Sequence, residues 1–352
     1  MNKTVFNKDF PRKIIISRTD KIGDVILTLP LAAFLKTHFP ETEIIFLGRT
    51  YTAPILENYE FIHAFINYDE LLRLPEKEQL KRLSETGADA IIHVFPQKHL
   101  ARLAKKSGIN TRIGTSHRKY HWLTCNKLIN FTRKRSDLHE SQLNFKLLKG
   151  LGINEIPTIS SICEYFGKEH FKLKPSGEGL PNRDGITNVI LHPGSRGSAR
   201  EWGHENFAKL ASFLPEDHFR IWLSGSKEEG LQSTVIFDSH HIKYHDISGM
   251  FSLDQLMSFI AENDVLVAAS TGPLHIAAAL DVLAIGLFPP IRPMHPGRWA
   301  PVGKKTKVFV NDKTCNDCRK STICECMKSI SPEEVARFIK EYFSHESINT
   351  KS

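Results

Sequence analysis

Residues Lys13-Ile14-Ile15-Ile16-Ser17 form an apolar run without polar alternation. That pattern predicts a strand covered on both faces, as in a parallel sheet. After a short polar loop, residues 24–38 place Val25, Leu29, Ala32, Ala33 and Leu35 at helical spacing, with Pro40 beyond their end. Strands are expected at 43–47 and 88–95, with a charged helix at 76–85 before the second. A stretch rich in Gly, Pro and charge follows at 171–185, and then the pattern restarts. Strands are expected at 188–192, 220–224, 264–269 and 283–288, and helices at 205–214, 253–262 and 273–280. Ser331-Pro332-Glu333-Glu334 supplies an N-cap, a first-turn proline and two acids, opening a last helix that should run to about Phe343. Strands alternating with helices imply right-handed βαβ units and doubly wound α/β sheets. The expected organisation is a first domain at 1–172, a linker at 173–185, a second domain at 186–330 and a terminal helix at 331–343.

The length of 352 residues suits two such domains. The longest apolar stretch, 271–291, contains His275, Asp281, Gly286 and Pro289-Pro290. It reads as a buried helix followed by a buried strand, not as a membrane span. The first residues lack the apolar core of a signal peptide, so a cytoplasmic location is expected, with peripheral contact at most with the inner membrane.

Charge divides the two halves. The chain carries 47 Lys+Arg and 39 Asp+Glu, a net of +8. Residues 1–180 hold 28 basic and 19 acidic side chains, a net of +9, and residues 181–352 hold 19 and 20, a net of −1. Eleven Lys/Arg and no acid lie between Lys98 and Arg135. Such a run is either a solvated face or the surface at which one domain meets an anionic partner.

Cys315, Cys318, Cys324 and Cys326 form C-x2-C-x5-C-x1-C. The first pair has zinc-ligand spacing, but four thiolates in twelve residues are tighter than a zinc ribbon, so a reduced loop without metal stands beside the metal reading.

In doubly wound folds, ligands sit at the carboxyl ends of strands against helix N-termini. Three loops are placed that way. In the first, Gly23 permits a tight turn and Asp24 sits at a helix start. There it is either a cap or a general base, with Asp20 in reserve. The second, 192–202, combines Gly194, Ser195, Gly197 and Ser198 with Arg196 and Arg200, which suits phosphate. In the third, Ser270-Thr271-Gly272 precedes a helix with Pro273 in its first turn, and His275 is either a ligand contact or a buried helix residue.

Together these loops resemble glycosyltransferase family 9, the heptosyltransferases of the lipopolysaccharide core. The resemblance is carried by Arg18-x-Asp20-x-Ile22-Gly23-Asp24-x-x-x-Thr28-x-Pro30 and by His192-Pro193-Gly194-Ser195 with Arg200-x-Trp202. It continues through Thr271-Gly272-Pro273-Leu274-His275-Ile276-Ala277-Ala278-Ala279 and Cys326-Met327-x-x-Ile330-x-Pro332-x-x-Val335. It implies a GT-B architecture, two Rossmann-like domains facing a cleft, with the last helix packing back on the first domain. It further implies single-displacement inverting transfer from a nucleotide-sugar donor such as ADP-heptose to an anionic lipid-linked saccharide.

By this resemblance Asp24 is the base. Ser195, Arg196, Arg200, Glu228, Ser270, Thr271, Gly272 and His275 form the donor side. Arg18, Asp20, Gly23, Arg133, Lys134 and Arg135 form the acceptor side. No cofactor is required, and a divalent cation is conceivable with the donor but not expected to be held by the protein. Arg200 stands where the family usually has Lys, which keeps the charge but changes the geometry. Ser270 stands where the family usually has Asp, which leaves open a different donor sugar or a member that binds nucleotide without turnover. A nucleic-acid-binding α/β protein is the remaining alternative. It rests on charge with Tyr120, Trp122 and Phe131 interleaved as stacking groups, but without a recognised motif nucleic acid is not the expected partner.

Overall fold

The computed structural model describes residues 10–133, 136–175, 185–311 and 324–349. The chain divides into two compact units: Met1–Tyr165 with Glu169–Lys172, and Phe166–Lys168 with Leu173–Ser352.

The first unit is a six-stranded sheet with the order β3-β2-β1-β4-β5-β6. Its strands are β1 (Lys13–Ser17), β2 (Glu43–Gly48), β3 (Ala64–Asn67), β4 (Ala90–His93), β5 (Thr111–Thr115) and β6 (Lys127–Ile129). All pairings are parallel. β1 is central, and Ile14, Ile15 and Ile16 are fully buried, which is why this strand carries no polar alternation.

The second unit repeats the order as β12-β11-β10-β7-β8-β9. Its strands are β7 (Thr187–His192), β8 (Phe219–Leu223), β9 (His245–Asp246), β10 (Val265–Ala269), β11 (Leu283–Phe288) and β12 (Thr306–Val310). They too pair in parallel. Both orders reverse beside the first strand of the unit, so each unit has a switch point at the carboxyl end of β1 or β7.

Two expectations change. The helix expected over 24–38 is two helices, Ile22–Ile26 and Leu29–His38. Thr28 caps the second, and Pro30 lies in its first turn, where a missing N–H costs nothing. Gly23, expected in the loop, therefore stands with Asp24 in the first helical turn. The last helix is Pro332–Asn349. Its Val335, Ala336 and Ile339 are fully buried in the second unit's core with Trp202, Phe207 and Phe237. Finally, among the described residues, β5 and the edge strands β3, β6, β9 and β12 escape the pattern because they are short or half-exposed.

Candidate active site

The first site is a buried charge network at the carboxyl end of β1. Arg18, 2% exposed, directs its guanidinium at three carboxylates. Nε donates to Asp20 Oδ1 at 2.6 Å, Nη1 donates to Glu140 Oε1 at 3.1 Å, and Nη2 donates to Asp24. Arg133 meets the same carboxylate from the other side, with Nε 2.9 Å from Glu140 Oε1. Its Nη2 donates to the Val94 carbonyl and to Asn144 Oδ1, both at 3.1 Å. Asn144 Nδ2 then donates to Leu27 O and Thr28 Oγ1 at 3.1 Å, and Thr28 Oγ1 donates to Asp24 O at 2.8 Å. Asp24 is thus held at both its side chain and its carbonyl.

Three acids share two arginines here, so the charges do not cancel. Burial is the largest influence on Asp24 and raises its pKa. Arg18 opposes it, while Asp20 and Glu140 add repulsion, and the carboxyl is pushed up to about 6. Burial would also lower the Arg18 pKa, but Asp24, Asp20 and Glu140 outweigh it and hold the guanidinium above its ordinary value. A partly buried carboxylate with a pKa raised to about 6 has the chemistry that a general base near neutral pH needs. His93, at the end of β4, is pushed down to about 3, chiefly by burial with His121 and Arg112 adding to it, and stays neutral.

The second site is built by three loops at the carboxyl ends of β7, β8 and β10. His192 ends β7; burial lowers it to about 4, and Nδ1 lies 2.9 Å from Ser224 Oγ. Glu229 organises the loop after it. Its Oε2 accepts from Ser226 N at 2.8 Å as part of a capping box on the Lys227–Ser239 helix, and its Oε1 accepts from Arg196 N at 3.0 Å. Burial would raise the Glu229 pKa, but these backbone donors outweigh it and the group lies below its ordinary value. Arg196 adopts φ +46°, unusual for a side-chain-bearing residue, and its N–H on Glu229 holds it there. Ser195 is fixed by Glu201, whose Oε1 accepts from Ser195 N at 2.9 Å and from Ser195 Oγ at 2.7 Å.

At the third loop Thr271 caps the Gly272–Ala279 helix without a side-chain cap bond. Its buried Oγ1 has no hydrogen-bond partner among the described residues. Ser270 is half-buried beside it, and His275 is buried one turn on. Backbone donors at this helix start, in the loop after β10 beside the β7 strand whose loop carries Arg196 and Arg200, offer what a phosphorylated ligand needs.

The structure gathers Asp24, Asp20 and Arg18 in the first unit, and the donor-side residues at the carboxyl edge of the second sheet. Arg18 is buried and donates to Asp24. Two expectations change. Arg133, expected as a surface charge, is turned inward onto Glu140, Asn144 and Val94. Glu228 is exposed, and the adjacent Glu229 holds the loop. Phe131, expected as a stacking group, is buried, which removes one face of the proposed nucleic-acid platform. Lys134 and Arg135 lie outside the described residues.

Cys315 and Cys318 also lie outside them, while Cys324 and Cys326 are buried in the second unit's core. Among the described residues no three His, Cys, Asp or Glu side chains group as metal ligands. Sequence reasoning missed Glu140, Asn144 and Glu229. The signal for Glu229 was the capping box Ser226-x-x-Glu229, but a buried Glu140 opposite Arg18 has no local signature.

Comparison with known proteins agrees with this picture. The family profile "Glycosyltransferase family 9 (heptosyltransferase)" matches residues 78–328. A putative glycosyltransferase of Haemophilus influenzae is 27% identical over 84% of this chain and 87% of its own length. Lipooligosaccharide heptosyltransferase 2 of Campylobacter jejuni is 25% identical over 94% of this chain and 98% of its own. The solved structure of Escherichia coli ADP-heptose lps heptosyltransferase II superimposes with a TM-score of 0.72 at 18% identity, over 95% of this chain and 99% of that one. Two Rossmann-like sheets, the GT-B fold class and a match over most of the chain converge: this protein is a glycosyltransferase and belongs to glycosyltransferase family 9.

Proposed function

We propose that the chain moves heptose from ADP-heptose to a lipopolysaccharide-core or related lipid-linked acceptor at the cytoplasmic face of the inner membrane, with inversion at the anomeric carbon. The carrying observation is Asp24, held by Arg18 and Thr28 with its pKa raised to about 6. Above that pH its carboxylate takes the proton from an acceptor hydroxyl. The hydroxyl oxygen then bonds to the anomeric carbon as the bond from that carbon to the diphosphate breaks and ADP departs. In the second unit, the Thr271 hydroxyl, the start of the Gly272–Ala279 helix and the Arg196 and Arg200 guanidiniums offset the charge that grows on the leaving diphosphate. The reading requires no resident cofactor. The relatives named for ADP-heptose and lipooligosaccharide support this choice of donor and acceptor. Ser270 offers a hydroxyl to the donor sugar in place of a carboxylate.

The test supplies ADP-heptose, or a panel of ADP-, UDP- and GDP-hexoses, with a heptose-deficient lipid-linked core oligosaccharide and follows the product by mass spectrometry. The expected gain is one heptose residue per acceptor, with ADP released. Transfer from another nucleotide sugar and none from ADP-heptose would overturn the donor assignment.

A further inference from the structure

The first unit carries an exposed apolar patch that its charge network does not use. Trp122 is 67% exposed, Leu123 76% and Leu128 40%. The first two stand on the His121–Thr124 helix between β5 and β6, and Leu128 stands on β6, the free edge of the sheet. They are held in place: Trp122 Nε1 donates to Ser116 O at 2.7 Å, and Lys105 Nζ donates to Leu123 O at 2.9 Å. Leu128 is in register with Gly114, where a Cβ would come within 2.5 Å of His121 Nδ1, so the glycine lets this helix lie close against β5. Arg118, Lys119 and Lys127 flank these residues along the chain. All three are exposed, and none is in an ion pair among the described residues.

A rigid Trp/Leu cluster flanked along the chain by free cations, inside a 38-residue segment without an acid, has the composition of an interfacial membrane anchor. We infer that Trp122, Leu123 and Leu128 dock the first unit on an anionic lipid bilayer, with Arg118, Lys119 and Lys127 on the headgroups. The inference gives a location to the membrane contact in the functional reading above, and it rests on that reading only for its purpose. Ser116 follows β5 at the same end of the parallel sheet at which β1 delivers Asp24. Three strand spacings, roughly 15 Å, separate β1 from β6 across that edge. Docking here would present an acceptor anchored in the bilayer to the base instead of requiring its extraction.

The experiment sediments the full-length protein with vesicles of phosphatidylcholine alone or with one-quarter phosphatidylglycerol, without donor or acceptor. Two variants are compared, Trp122→Ser/Leu123→Ser and Arg118→Glu/Lys119→Glu. Turnover on a delipidated, water-soluble acceptor and the unfolding midpoint are measured in parallel. Wild type should partition at least tenfold better onto the anionic vesicles. The apolar variant should lose at least tenfold there. The charge variant should lose more, since each cation near an anionic surface contributes roughly fivefold. Both should keep wild-type midpoints and soluble-acceptor turnover. Wild-type partitioning by both variants would overturn the inference. So would unchanged partitioning with a change in oligomeric state by light scattering, which would assign the patch to a second copy of the chain, and so would displacement from vesicles by single-stranded oligonucleotide. Absence of turnover by wild type on either acceptor, with partitioning intact, would instead sink the transfer reading and leave the docking surface standing.

Discussion

At the scale of single residues, the chemistry turns on how one carboxylate is kept near neutrality. Asp24 has a raised pKa in the folded state, so folding favours its protonated form. Its contribution to stability is complete below about pH 4 and is lost as pH rises through about 6. Activity has the opposite requirement, since the base works only when ionised. We therefore predict that kcat/KM rises through an apparent pKa near 6, and that Asp24→Asn is at least as stable as wild type at pH 8. A shift of about two units bounds that gain at about 3 kcal/mol, read by urea unfolding.

Glu140 provides a second test. It is fully buried, and both Arg18 and Arg133 donate to its Oε1. Glu140→Gln should cost about 3–5 kcal/mol of unfolding free energy. It should also move the acid limb of the pH profile downward, because a negative charge that repels Asp24 is gone. A limb that stays in place would remove Glu140 from the Asp24 network.

Helices and loops set where these groups stand. Asp24 was visible in the sequence because its position follows a fully apolar strand and opens an amphipathic helix. Its environment was not, since Glu140 and Asn144 come from a helix more than a hundred residues away. Local pattern finds the strand end that presents a group but not the distant side chains that tune it. The same limit explains Arg133, which reads as one more cation in a basic run until Glu140 draws it inward. In the second unit, a Cβ on Gly194 would come within 2.2 Å of the Glu229 carboxylate. Gly194→Ala should therefore displace Glu229 from the Arg196 turn and weaken donor binding at least about tenfold by calorimetry, since small misplacements at such sites are costly. Trp202 of the same motif is structural. It is fully buried, and its Nε1 donates to Ile330 O at 3.0 Å. Trp202→Ala should cost about 3–5 kcal/mol.

For the whole molecule, the doubled α/β pattern was legible because buried parallel strands leave continuous apolar runs such as 14–16 and 265–269. The edge strands were not, because half-exposed residues erase that signature. The last helix was legible from its cap and its spacing. Its apolar positions announce a buried face, yet nothing in them says which core receives it. The second unit's core does, through Val335 and Ile339 beside Trp202. Truncation before Ser331 should remove about 4 kcal/mol of burial from these two side chains, roughly a 10 °C fall in the unfolding midpoint. The split of +9 and −1 between the chain halves also takes on a more specific meaning. Arg18 and Arg133 face three acids in the Asp24 network, a net of −1, so the first half's positive surplus lies outside that network, and the exposed cations near Trp122 are left for an anionic surface.

The most direct test of the central claim pairs turnover with donor binding in Asp24→Asn. If Asp24 is the base, turnover with ADP-heptose and lipid-linked acceptor falls by about 10²–10⁴-fold, while donor affinity by calorimetry stays within about threefold because the donor loops belong to the other unit. Near-wild-type turnover in that variant would contradict the assignment.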